Sequence, residues 1–397
     1  MSEKRRDSKN RILLSGESQR TDGRYAYKYT DTTGKPQFVY AWKLVPTDKT
    51  PAGKRDDICL REKEKAIRKD LDDGIDTVGK KMTVCQLYAK QIRHRGNVRH
   101  NTKAGRKRLM KLLEQDRLGS RSIDSVKLSD AKEWALRMAE KGIAYTTISN
   151  DKRSLKAAFY TAIQDDCIRK NPFDFKLNTV IEDTTQPKEA LTPEQEKELL
   201  TFAQGDKVYR KYYDELVILL GTGIRISELC GMTESDLDFE GRKINVDHQL
   251  LYSAETGYYI ETPKTESGNR QIPMSESVYE AMRNILKNRK GASSVTVDGY
   301  RGFLFTGKNG KPKNATSYDS VFRGLVRKYN KCHAQALPKV TTPHTLRHTF
   351  CTKLANAGMN PKALQYLMGH ANITMTMDYY AHATFESAKA EMDRVAA

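Results

Sequence analysis

The stretch "MGHANITMTMDYYAHA", residues 368–383, places two tyrosines side by side, Tyr379 and Tyr380. His370 precedes the first of them by nine residues. Neighbouring aromatic side chains most often serve packing. A tyrosine can also be a nucleophile, but its phenol has a pKa of about 10 and needs a base or positive charge nearby at neutral pH. The stretch is therefore compatible with packing or with catalysis.

Three other stretches in the same part of the chain carry polar side chains at turns and helix starts. Arg225 follows a Gly-Thr-Gly turn in "LLGTGIRISELCGM", and Lys264 lies between predicted strands in "TPKTESGNRQIP". In "PHTLRHTF", His344 and Arg347 share one face of a helix, and His344 and His348 have a spacing that can bind zinc. Because no HExxH glutamate or convincing third ligand accompanies the histidines, the sequence predicts no metal site. Each residue alone is compatible with an ordinary surface position.

Together these side chains suit one reaction, the attack of a tyrosine on a DNA phosphodiester. The transition state gains negative charge on its non-bridging oxygens, which two guanidiniums can clamp with paired N–H bonds. The departing 5′-oxygen needs a proton, and a lysine on a turn can supply it. A histidine beside the phosphate can relay a proton or hold an oxygen.

The chain is strongly basic, with a formal net charge of +19. This balance favours a polyanionic partner, nucleic acid first and an anionic membrane second. The excess peaks in residues 81–187, and Lys81 to Lys111 contains ten basic residues and no acidic one. A solvated helix face usually mixes both signs, so this run indicates contact with nucleic acid in preference to disorder. The candidate contacts are Arg93, Arg95, Arg99, Lys103, Arg106, Lys107, Arg108, Lys111 and Arg153.

The six cysteines are scattered and include no CxxC pair. This pattern disfavours a zinc finger or a disulfide framework and suits a reducing cytosol. The N-terminal residues contain no apolar run typical of a signal peptide, and no window approaches the about 18 consecutive apolar residues of a membrane span. The sequence therefore predicts a cytoplasmic protein without a membrane partner.

Residues 11–44 alternate with the period of two that is typical of strands. One face of a first strand carries Tyr25, Tyr27 and Tyr29. After the turn "TDTTGKPQ", one face of a second strand carries Phe38, Tyr40, Trp42 and Leu44. With "RILLSG" as a possible third strand and a helical pattern after it, we expect a small sheet packed on one helix through its aromatic face. The opposite face, either solvated or in a DNA major groove, would present Arg24, Lys28 and Lys43.

The remainder reads as two helical segments. Apolar residues recur at helical spacing through residues 82–185, and "LNTVIEDTTQPKEA" then has the polar, aperiodic character of a linker. In "LTPEQEKELLTFA", Thr192 fits an N-cap, Pro193 the first helical position and Gln195 the capping-box position. Helical patterns continue from there, interrupted by a β-rich stretch at 243–273.

The third segment resembles the catalytic domain of the tyrosine recombinases, the phage lambda integrase family. The family pattern is Arg, Lys, His-x-x-Arg, a second His or Trp, and then Tyr. In this chain the pattern falls on Arg225, Lys264, His344, Arg347, His370 and Tyr379. The flanks "KTESGNRQIP", "LRHTF" and "LMGH" are similar too, and "TGIRISEL" places Glu228 where the family commonly has an acidic residue.

The resemblance also bears on which tyrosine is the nucleophile. The family's nucleophile commonly lies nine residues after the second histidine or tryptophan, which selects Tyr379. A second family feature, a histidine two residues after the nucleophile, would select Tyr380 through His382. We prefer Tyr379, because the nine-residue spacing ties two active-site residues to one local scaffold.

The resemblance implies a role for each member of the pattern. The two arginines would stabilise the transition state, and the lysine would protonate the leaving oxygen. The first histidine would assist proton transfer, and the second would hold a phosphate oxygen or position the tyrosine. Glu228 would orient the site. Because bond energy is kept in a 3′-phosphotyrosine, neither ATP nor another cofactor is expected.

The resemblance further implies the three-part tyrosine recombinase fold. Residues 1–80 would form an α+β arm-binding module with a three-stranded sheet and one helix, similar to integrases of conjugative transposons. Residues 81–180 would form an all-α core-binding domain, and 181–190 a linker. Residues 191–397 would form a mainly α catalytic domain with a small antiparallel sheet.

The implied function is the excision and integration of a mobile element, a conjugative transposon. The partners would be double-stranded DNA at the element's ends and at the target or circular-intermediate junction, with a homo-tetramer assembled on two sites. An excisionase or a host DNA-bending protein is a further possible partner. The tail "ATFESAKAEMDRVAA" would pack on its own domain or dock on a neighbouring subunit. Two alternatives stay open, a type IB topoisomerase-like enzyme and a catalytically silent DNA-binding regulator.

Overall fold

The computed structural model describes residues 4–96, 98–186, 189–263, 266–289, 295–333, 336–338, 341–380 and 392. The chain forms two compact units, Met1–Gln186 and Pro187–Ala397. Their boundary falls inside the stretch 181–190, which has the composition of a linker. Among the helices described, none is both long enough and apolar enough to cross a membrane.

The first unit begins with an antiparallel sheet and one helix. The strands pair in the order β1 (Glu17–Gln19), β2 (Tyr25–Thr30) and β3 (Pro36–Ala41), and helix α1 spans Leu60–Asp72. The three tyrosines of β2 are buried in one cluster with Leu60, against which Ile67 and Leu71 of α1 also pack. The predicted α+β module of a sheet and one helix is confirmed.

The two faces of this sheet differ from the prediction at β3. Tyr25 pairs with Ala41 and Tyr27 with Val39, so these small side chains, and not the aromatic ones of β3, share the core face. Phe38 is 53% exposed on the opposite face. The aromatic residues there lie under cations: Arg24 is 5.4 Å from the Tyr40 ring and 5.8 Å from the Trp42 ring, and Lys28 is 6.0 Å from the Phe38 ring. The prediction that β3 packs on the helix through its aromatic face is therefore wrong, because the register places Ala41 and Val39 opposite the buried tyrosines and leaves the aromatic rings on the basic face, where cation–π contacts form.

The rest of the first unit is helical, as predicted. Its helices are α2 (Val84–His94), α3 (His100–Glu114), α4 (Leu128–Glu140) and α5 (Tyr145–Gln164). They enclose a second core, separate from that of the sheet, in which the Trp134 and Phe173 rings meet edge to face at 5.7 Å. Backbone and ionic contacts join the two parts: the Asp76 N–H donates to the Asp166 carbonyl at 2.8 Å, and Arg169 pairs with Asp73.

The second unit is mainly helical. Its helices are α6 (Pro193–Gly205), α7 (Tyr213–Thr222), α8 (Ile226–Gly231), α9 (Glu276–Asn288), α10 (Ala315–Cys332), α11 (Pro343–Asn356), α12 (Pro361–Met368) and α13 (Thr374–Met377). The predicted capping box is present at α6, where the Thr192 hydroxyl accepts from the Gln195 N–H. A large cluster packs α6 to α10 together, and a smaller one joins α11 and α12 to Tyr379 and Tyr380.

Short strands interrupt these helices where the sequence predicted them. The strands are β4 (Leu237–Asp238), β5 (Lys243–Val246), β6 (Gln249–Ser253), β7 (Gly257–Glu261) and β8 (Arg270–Pro273). β4, β5 and β8 form one antiparallel sheet, and β6 pairs with β7 as a hairpin. The small antiparallel sheet in a mainly α unit is confirmed. Lys264, predicted to lie in the turn after β7, is outside the described residues.

Helices α7 and α12 end at glycines in the left-handed conformation, and both of these ends face the candidate site. Gly223 after α7 has φ +61°, and Gly369 after α12 has φ +59°. A Cβ at Gly223 would lie 2.4 Å from Phe350 Cδ1, and one at Gly369 would lie 3.1 Å from Arg270 Nη1. Only glycine combines this φ with this lack of space, so each helix ends abruptly and leaves backbone carbonyls at the site.

Candidate active site

Arg225 is the N-cap residue of α8 and is fixed by a carboxylate of the same helix. Its backbone N–H donates to Glu228 Oε2 at 2.9 Å, and its Nη1 donates to Glu228 Oε1 at 2.6 Å. Its Nη2 donates to the Gly369 carbonyl at 3.1 Å. The side chain remains 36% exposed, so the guanidinium can still meet a ligand from solvent.

Arg347 lies on α11 and is almost completely buried. Its Nη1 donates to the Gly223 carbonyl at 2.6 Å, and its Nη2 donates to the Met368 carbonyl. Burial and the nearby positive charge of Arg225 lower the pKa of Arg347 to about 9. The group therefore stays cationic at neutral pH. Two guanidiniums thus lie close together, each anchored by a carbonyl of a helix-ending glycine.

His370 follows Gly369 and is buried with its ring oriented by a neighbouring hydroxyl. Its Nδ1 lies 3.0 Å from Thr376 Oγ1. Burial, and then the positive charges of Arg347 and Arg225, lower the pKa of His370 to about 4. The ring is consequently neutral at physiological pH. It can form a hydrogen bond with a ligand but offers it no positive charge.

The two adjacent tyrosines have different environments. The Tyr380 hydroxyl donates to the Met359 carbonyl at 2.5 Å, which anchors that side chain to the fold. The Tyr379 ring packs 4.9 Å from the His348 ring, and its hydroxyl makes no hydrogen bond within the described part of the chain. Burial raises the pKa of Tyr379, while the nearby charge of Arg347 opposes the rise. Tyr379 is thus the tyrosine whose hydroxyl is available.

The structure brings together Arg225, Arg347, His370 and Tyr379 of the predicted set. His344 lies on the exposed face of α11, close enough for its charge to act on His370. The site could hold an anion with two negatively charged oxygens, because two guanidiniums converge beside a neutral histidine and the phenol of Tyr379.

Arg270 belongs to the same site but was not among the predicted residues. Its side chain is 0% exposed and forms a two-bonded ion pair with Glu228, through Nη1 to Oε1 at 3.1 Å and Nη2 to Oε2 at 2.8 Å. Burial alone would raise the pKa of Glu228, but Arg270 and Arg225 outweigh it and hold that pKa at about 2. The available signal was its alternation with Ile272, which places an arginine on the inward face of β8.

Outside this site, Asp236, Asp247 and His248 each place a potential metal-ligating atom within 4.8 Å of the others. The His248 ring contacts the Asp247 carboxylate at 2.5 Å and the Gly231 carbonyl at 2.7 Å. Both ring nitrogens of His248 thereby have hydrogen-bond partners within the protein. We interpret these three residues as a hydrogen-bonded cluster and not as a metal site.

The predicted DNA contacts fall into two environments. Ion pairs engage three of them: Arg24 with Asp22, Lys43 with Asp56, and Arg108 with the buried Asp151. Arg106 donates to the Arg95 carbonyl at 3.1 Å, and Arg99 is the N-cap of α3. The remaining seven are exposed, namely Lys28, Arg93, Arg95, Lys103, Lys107, Lys111 and Arg153, and Arg108 is also exposed despite its ion pair. A groove of about 660 Å³ between α2 and α3 is lined by five basic residues, one acidic residue and several small or apolar ones: Arg95, Lys103, Arg106, Lys107, Lys111, Glu114, Ile92, Gly96, Val98 and Met110.

Comparison with known proteins gives two family matches that together span most of the chain. The phage integrase family matches residues 189–387, and the DNA binding domain of Tn916 integrase matches residues 1–71. The transposase from transposon Tn916 of Enterococcus faecalis is 64% identical over 395 residues, which cover 100% of this chain and 97% of that protein. The transposase from transposon Tn1545 of Streptococcus pneumoniae has the same identity and coverage.

Solved structures give the same result. The Tn1549 transposon integrase in complex with transposon right end DNA is 70% identical, with a TM-score of 0.76 over 80% of this chain and 100% of that one. A lambda integrase dimer bound to a COC′ core site shares the fold, with 16% identity and a TM-score of 0.53 over 93% of this chain and 95% of that one.

These matches place the chain among the tyrosine-type site-specific recombinases. These enzymes break and rejoin DNA strands. The chain belongs to the phage integrase family, and its predicted resemblance to integrases of transposons is confirmed.

Proposed function

We propose that this recombinase excises and integrates a conjugative transposon by cutting and rejoining DNA at the element's ends. The identity with the transposases of Tn916 and Tn1545 extends over the whole chain and supports this element class. The observation that carries the proposal is the convergence of Arg225 and Arg347 beside His370 and Tyr379, whose hydroxyl has no hydrogen-bond partner among the described residues.

In the proposed reaction, the Tyr379 oxygen attacks the scissile phosphorus. A bond forms between that oxygen and phosphorus, the bond from phosphorus to the 5′-oxygen breaks, and a 3′-phosphotyrosine remains. Because burial raises the pKa of Tyr379, the phenol enters the reaction protonated and gives up its proton as it attacks. His344 is our candidate for assisting this transfer, and Lys264 for protonating the 5′-oxygen.

The two arginines would oppose the charge that develops on the non-bridging oxygens. Arg225 is partly exposed, and its bonds to Glu228 and to the Gly369 carbonyl use only two of its five guanidinium N–H groups, so a phosphate oxygen can bind beside these anchors. Arg347 is buried and kept by two carbonyls, so it offers a preorganised charge. Thr376 holds Nδ1 of His370, which leaves Nε2 for a phosphate oxygen.

The second half of the reaction reverses the first on a new partner. A 5′-hydroxyl from another strand attacks the phosphotyrosine, a new phosphodiester forms and Tyr379 is released. Each step exchanges one phosphoester for another, so the proposed cycle uses neither ATP nor a cofactor. Four strands must be exchanged, and we propose a homo-tetramer on two sites, assisted where needed by an excisionase or a host DNA-bending protein.

The remaining parts of the proposal concern DNA contact and location. Residues 1–80 would bind arm-type DNA through the basic face of the β1–β3 sheet, and residues 81–180 would close over the core site through the α2–α3 groove. Residues 191–397 would perform the chemistry. The reaction would take place in the cytoplasm, where the DNA lies and where free thiols such as those of the six cysteines persist.

A suicide substrate tests the nucleophile. A nicked duplex with the element's end would be mixed with wild type, Tyr379→Phe and Tyr380→Phe in EDTA. We expect covalent adduct with wild type and Tyr380→Phe and none with Tyr379→Phe. Loss only in Tyr380→Phe would transfer the role to that residue. No adduct from any of them, on a site shown to bind, would favour the silent regulator.

The same preparation separates a recombinase from a type IB topoisomerase. Two differently labelled duplexes would be incubated with wild-type protein, and the products would be resolved by size. Recombinant products are expected. Relaxation of supercoiled DNA without any exchange between the duplexes would favour the topoisomerase.

A further inference from the structure

Arg270 is a completely buried arginine whose hydrogen bonds are supplied by the protein. Besides its two bonds to Glu228, its Nε donates to the Leu367 carbonyl at 2.8 Å, and its Nη1 also donates to the Gly268 carbonyl at 3.2 Å. Four of the five guanidinium N–H groups are thereby used. Arg270 is therefore not placed to bind a phosphate itself, and any effect on the reaction must pass through its neighbours.

One neighbour is the carboxylate that orients Arg225. Glu228 receives two bonds from the Arg270 guanidinium and two from Arg225, one of them from the Arg225 backbone. A buried carboxylate with one guanidinium on each side cannot move toward one of them without weakening its bonds to the other. The direction of the Arg225 side chain is thus linked to the position of Arg270.

The other neighbour is the end of α12. Three consecutive carbonyls there each accept from a different arginine: Leu367 from Arg270, Met368 from Arg347, and Gly369 from Arg225. The last carbonyls of a helix lack partners within the helix and carry partial negative charge, so they favour cations. The Gln271 N–H also donates to the Tyr366 hydroxyl at 3.0 Å, so β8 is fastened to α12 at two successive residues.

We propose that Arg270 is a positioning residue of the cleavage reaction, which holds Glu228 and the end of α12 so that Arg225 stays directed at the scissile phosphate. The inference rests on the proposed role of Arg225 as a phosphate clamp. The competing interpretation is a buried ion pair that stabilises the fold and does nothing more.

The test variant is Arg270→Lys in the full chain. A lysine keeps the positive charge but cannot make the two-bonded pair with Glu228 and the bond to Leu367 at the same time. The matched control is Arg289→Lys, which alters another little-exposed arginine of the same unit, one that bonds to Glu234 at 3.3 Å and to the Gly302 carbonyl at 3.4 Å. Both variants would be compared with wild type for thermal unfolding, DNA affinity and single-turnover adduct formation on the nicked site.

We expect Arg270→Lys to form adduct about 10–100-fold more slowly at saturating DNA, with little change in affinity, as is common for groups that orient reacting residues. Arg289→Lys should stay near the wild-type rate. Equal rates for all three proteins would overturn the proposal. Equal slowing by both variants would also overturn it, because loss of any buried arginine would then suffice.

Two modified substrates distinguish positioning of Arg225 from a general loss of structure. A methylphosphonate at the scissile position is uncharged, so its cleavage depends little on a correctly placed guanidinium. On this substrate, Arg270→Lys should form adduct at nearly the wild-type rate. A defect that persists in full would mean that Arg270 does not act through charge at the phosphate, and the proposal would fail.

A bridging 5′-phosphorothiolate has a thiolate leaving group that needs no proton. On this substrate the defect of Arg270→Lys should remain. Recovery here would assign Arg270 to leaving-group protonation and contradict the proposal. Failure of the wild type itself to form adduct on any substrate would refute the proposed function, and the role of Arg270 in cleavage would fall with it. A wild type that forms adduct beside an unimpaired Arg270→Lys would refute the role of Arg270 alone.

A second variant applies if Arg270→Lys does not fold. Glu228→Gln keeps the shape of the carboxylate and removes its charge, and by the same route it should slow cleavage of the natural phosphate more than that of the methylphosphonate. Where both single variants fold, the double variant should be no slower than the slower single one, because both act in one path. Multiplied defects, or equal slowing by Glu228→Gln on both substrates, would overturn the proposal.

Discussion

At the scale of single residues, the site depends on a histidine that the fold keeps uncharged. His370 has a pKa of about 4 in the folded chain, below its usual 6.5. As pH falls from 6.5 to 4 the unfolded chain takes up the proton first, so the folded state loses stability across that window, by roughly 3 kcal/mol at most. We expect wild type to lose more thermal stability than His370→Gln between pH 7 and pH 4.5. Equal losses would contradict the assigned burial of a neutral ring.

The ring's orientation gives a second prediction at this scale. Thr376 is buried, contacts Nδ1 of His370 with its hydroxyl, and accepts the Tyr379 N–H with its carbonyl at 3.1 Å. Thr376→Val preserves the shape but loses the hydroxyl, and we expect it to slow adduct formation about tenfold. Thr376→Ser, which retains the hydroxyl, is the matched control and should remain close to wild type. A defect of equal size in both variants would point to packing in place of the hydrogen bond.

The motif residues were predictable because a family pattern gives their identities and their order along the chain, whereas their partners were not. Arg225, Arg347, His370 and Tyr379 follow a family pattern that can be read along the chain. Arg270 depends on Glu228 and Leu367, which lie far from it in sequence, so only the folded chain shows why a buried arginine is tolerated there. The choice of Tyr379 over Tyr380 rested on spacing, and the bond of Tyr380 to Met359 now adds a physical reason.

At the scale of elements, the abrupt end of α12 is the feature that assembles the site. Gly369→Ala would force a left-handed alanine, at roughly 1–2 kcal/mol, and would push its Cβ against Arg270 and the Ser267 carbonyl. We expect lower thermal stability and slower adduct formation.

Gly142→Ala provides the control for that change. Gly142 also follows a helix and has φ +73°, but its Cβ would meet nothing within 4 Å. It should therefore lose stability through strain alone and keep its cleavage rate. Equal cleavage rates in the two variants would show that the contact with Arg270 is unimportant.

The sheet shows what alternation can and cannot predict. The period of two correctly placed Tyr25, Tyr27 and Tyr29 on a buried face. It could not tell which face of β3 would join them, because both faces of β3 carry apolar residues and the register depends on the turn between the strands. In the structure the register places Val39 and Ala41 on the buried face and leaves Phe38, Tyr40 and Trp42 beside Arg24 and Lys28.

At the scale of the whole molecule, part of the positive charge is neutralised by ion pairs within the fold. Arg108 pairs with Asp151, so we expect it to contribute less to DNA binding than its place in the basic run predicts. Lys103 and Lys111 line the α2–α3 groove and are exposed. Each phosphate contact contributes about 0.9 to the magnitude of the slope of log K for DNA binding against log salt concentration. The double variant with Lys103→Gln and Lys111→Gln should therefore reduce the magnitude of that slope by up to about 1.8.

Lys90→Gln is the matched control, because Lys90 lies on α2 but pairs with Asp165 at 2.8 Å. Its slope should remain close to that of the wild type, as measured by fluorescence anisotropy on a core-site duplex. An unchanged slope in the double variant would remove the groove from the DNA interface.

The three carbonyls at the end of α12 also bear on how such a gene can vary. Every amino acid has a main-chain carbonyl. Residues 367 and 368 can therefore be substituted, within the limits of packing, without removing the carbonyls that accept hydrogen bonds from Arg270 and Arg347. Insertion or deletion of a single codon inside α12 would shift all three anchors at once. We therefore expect selection to preserve the number of residues in α12 more strictly than the identities of residues 367 and 368.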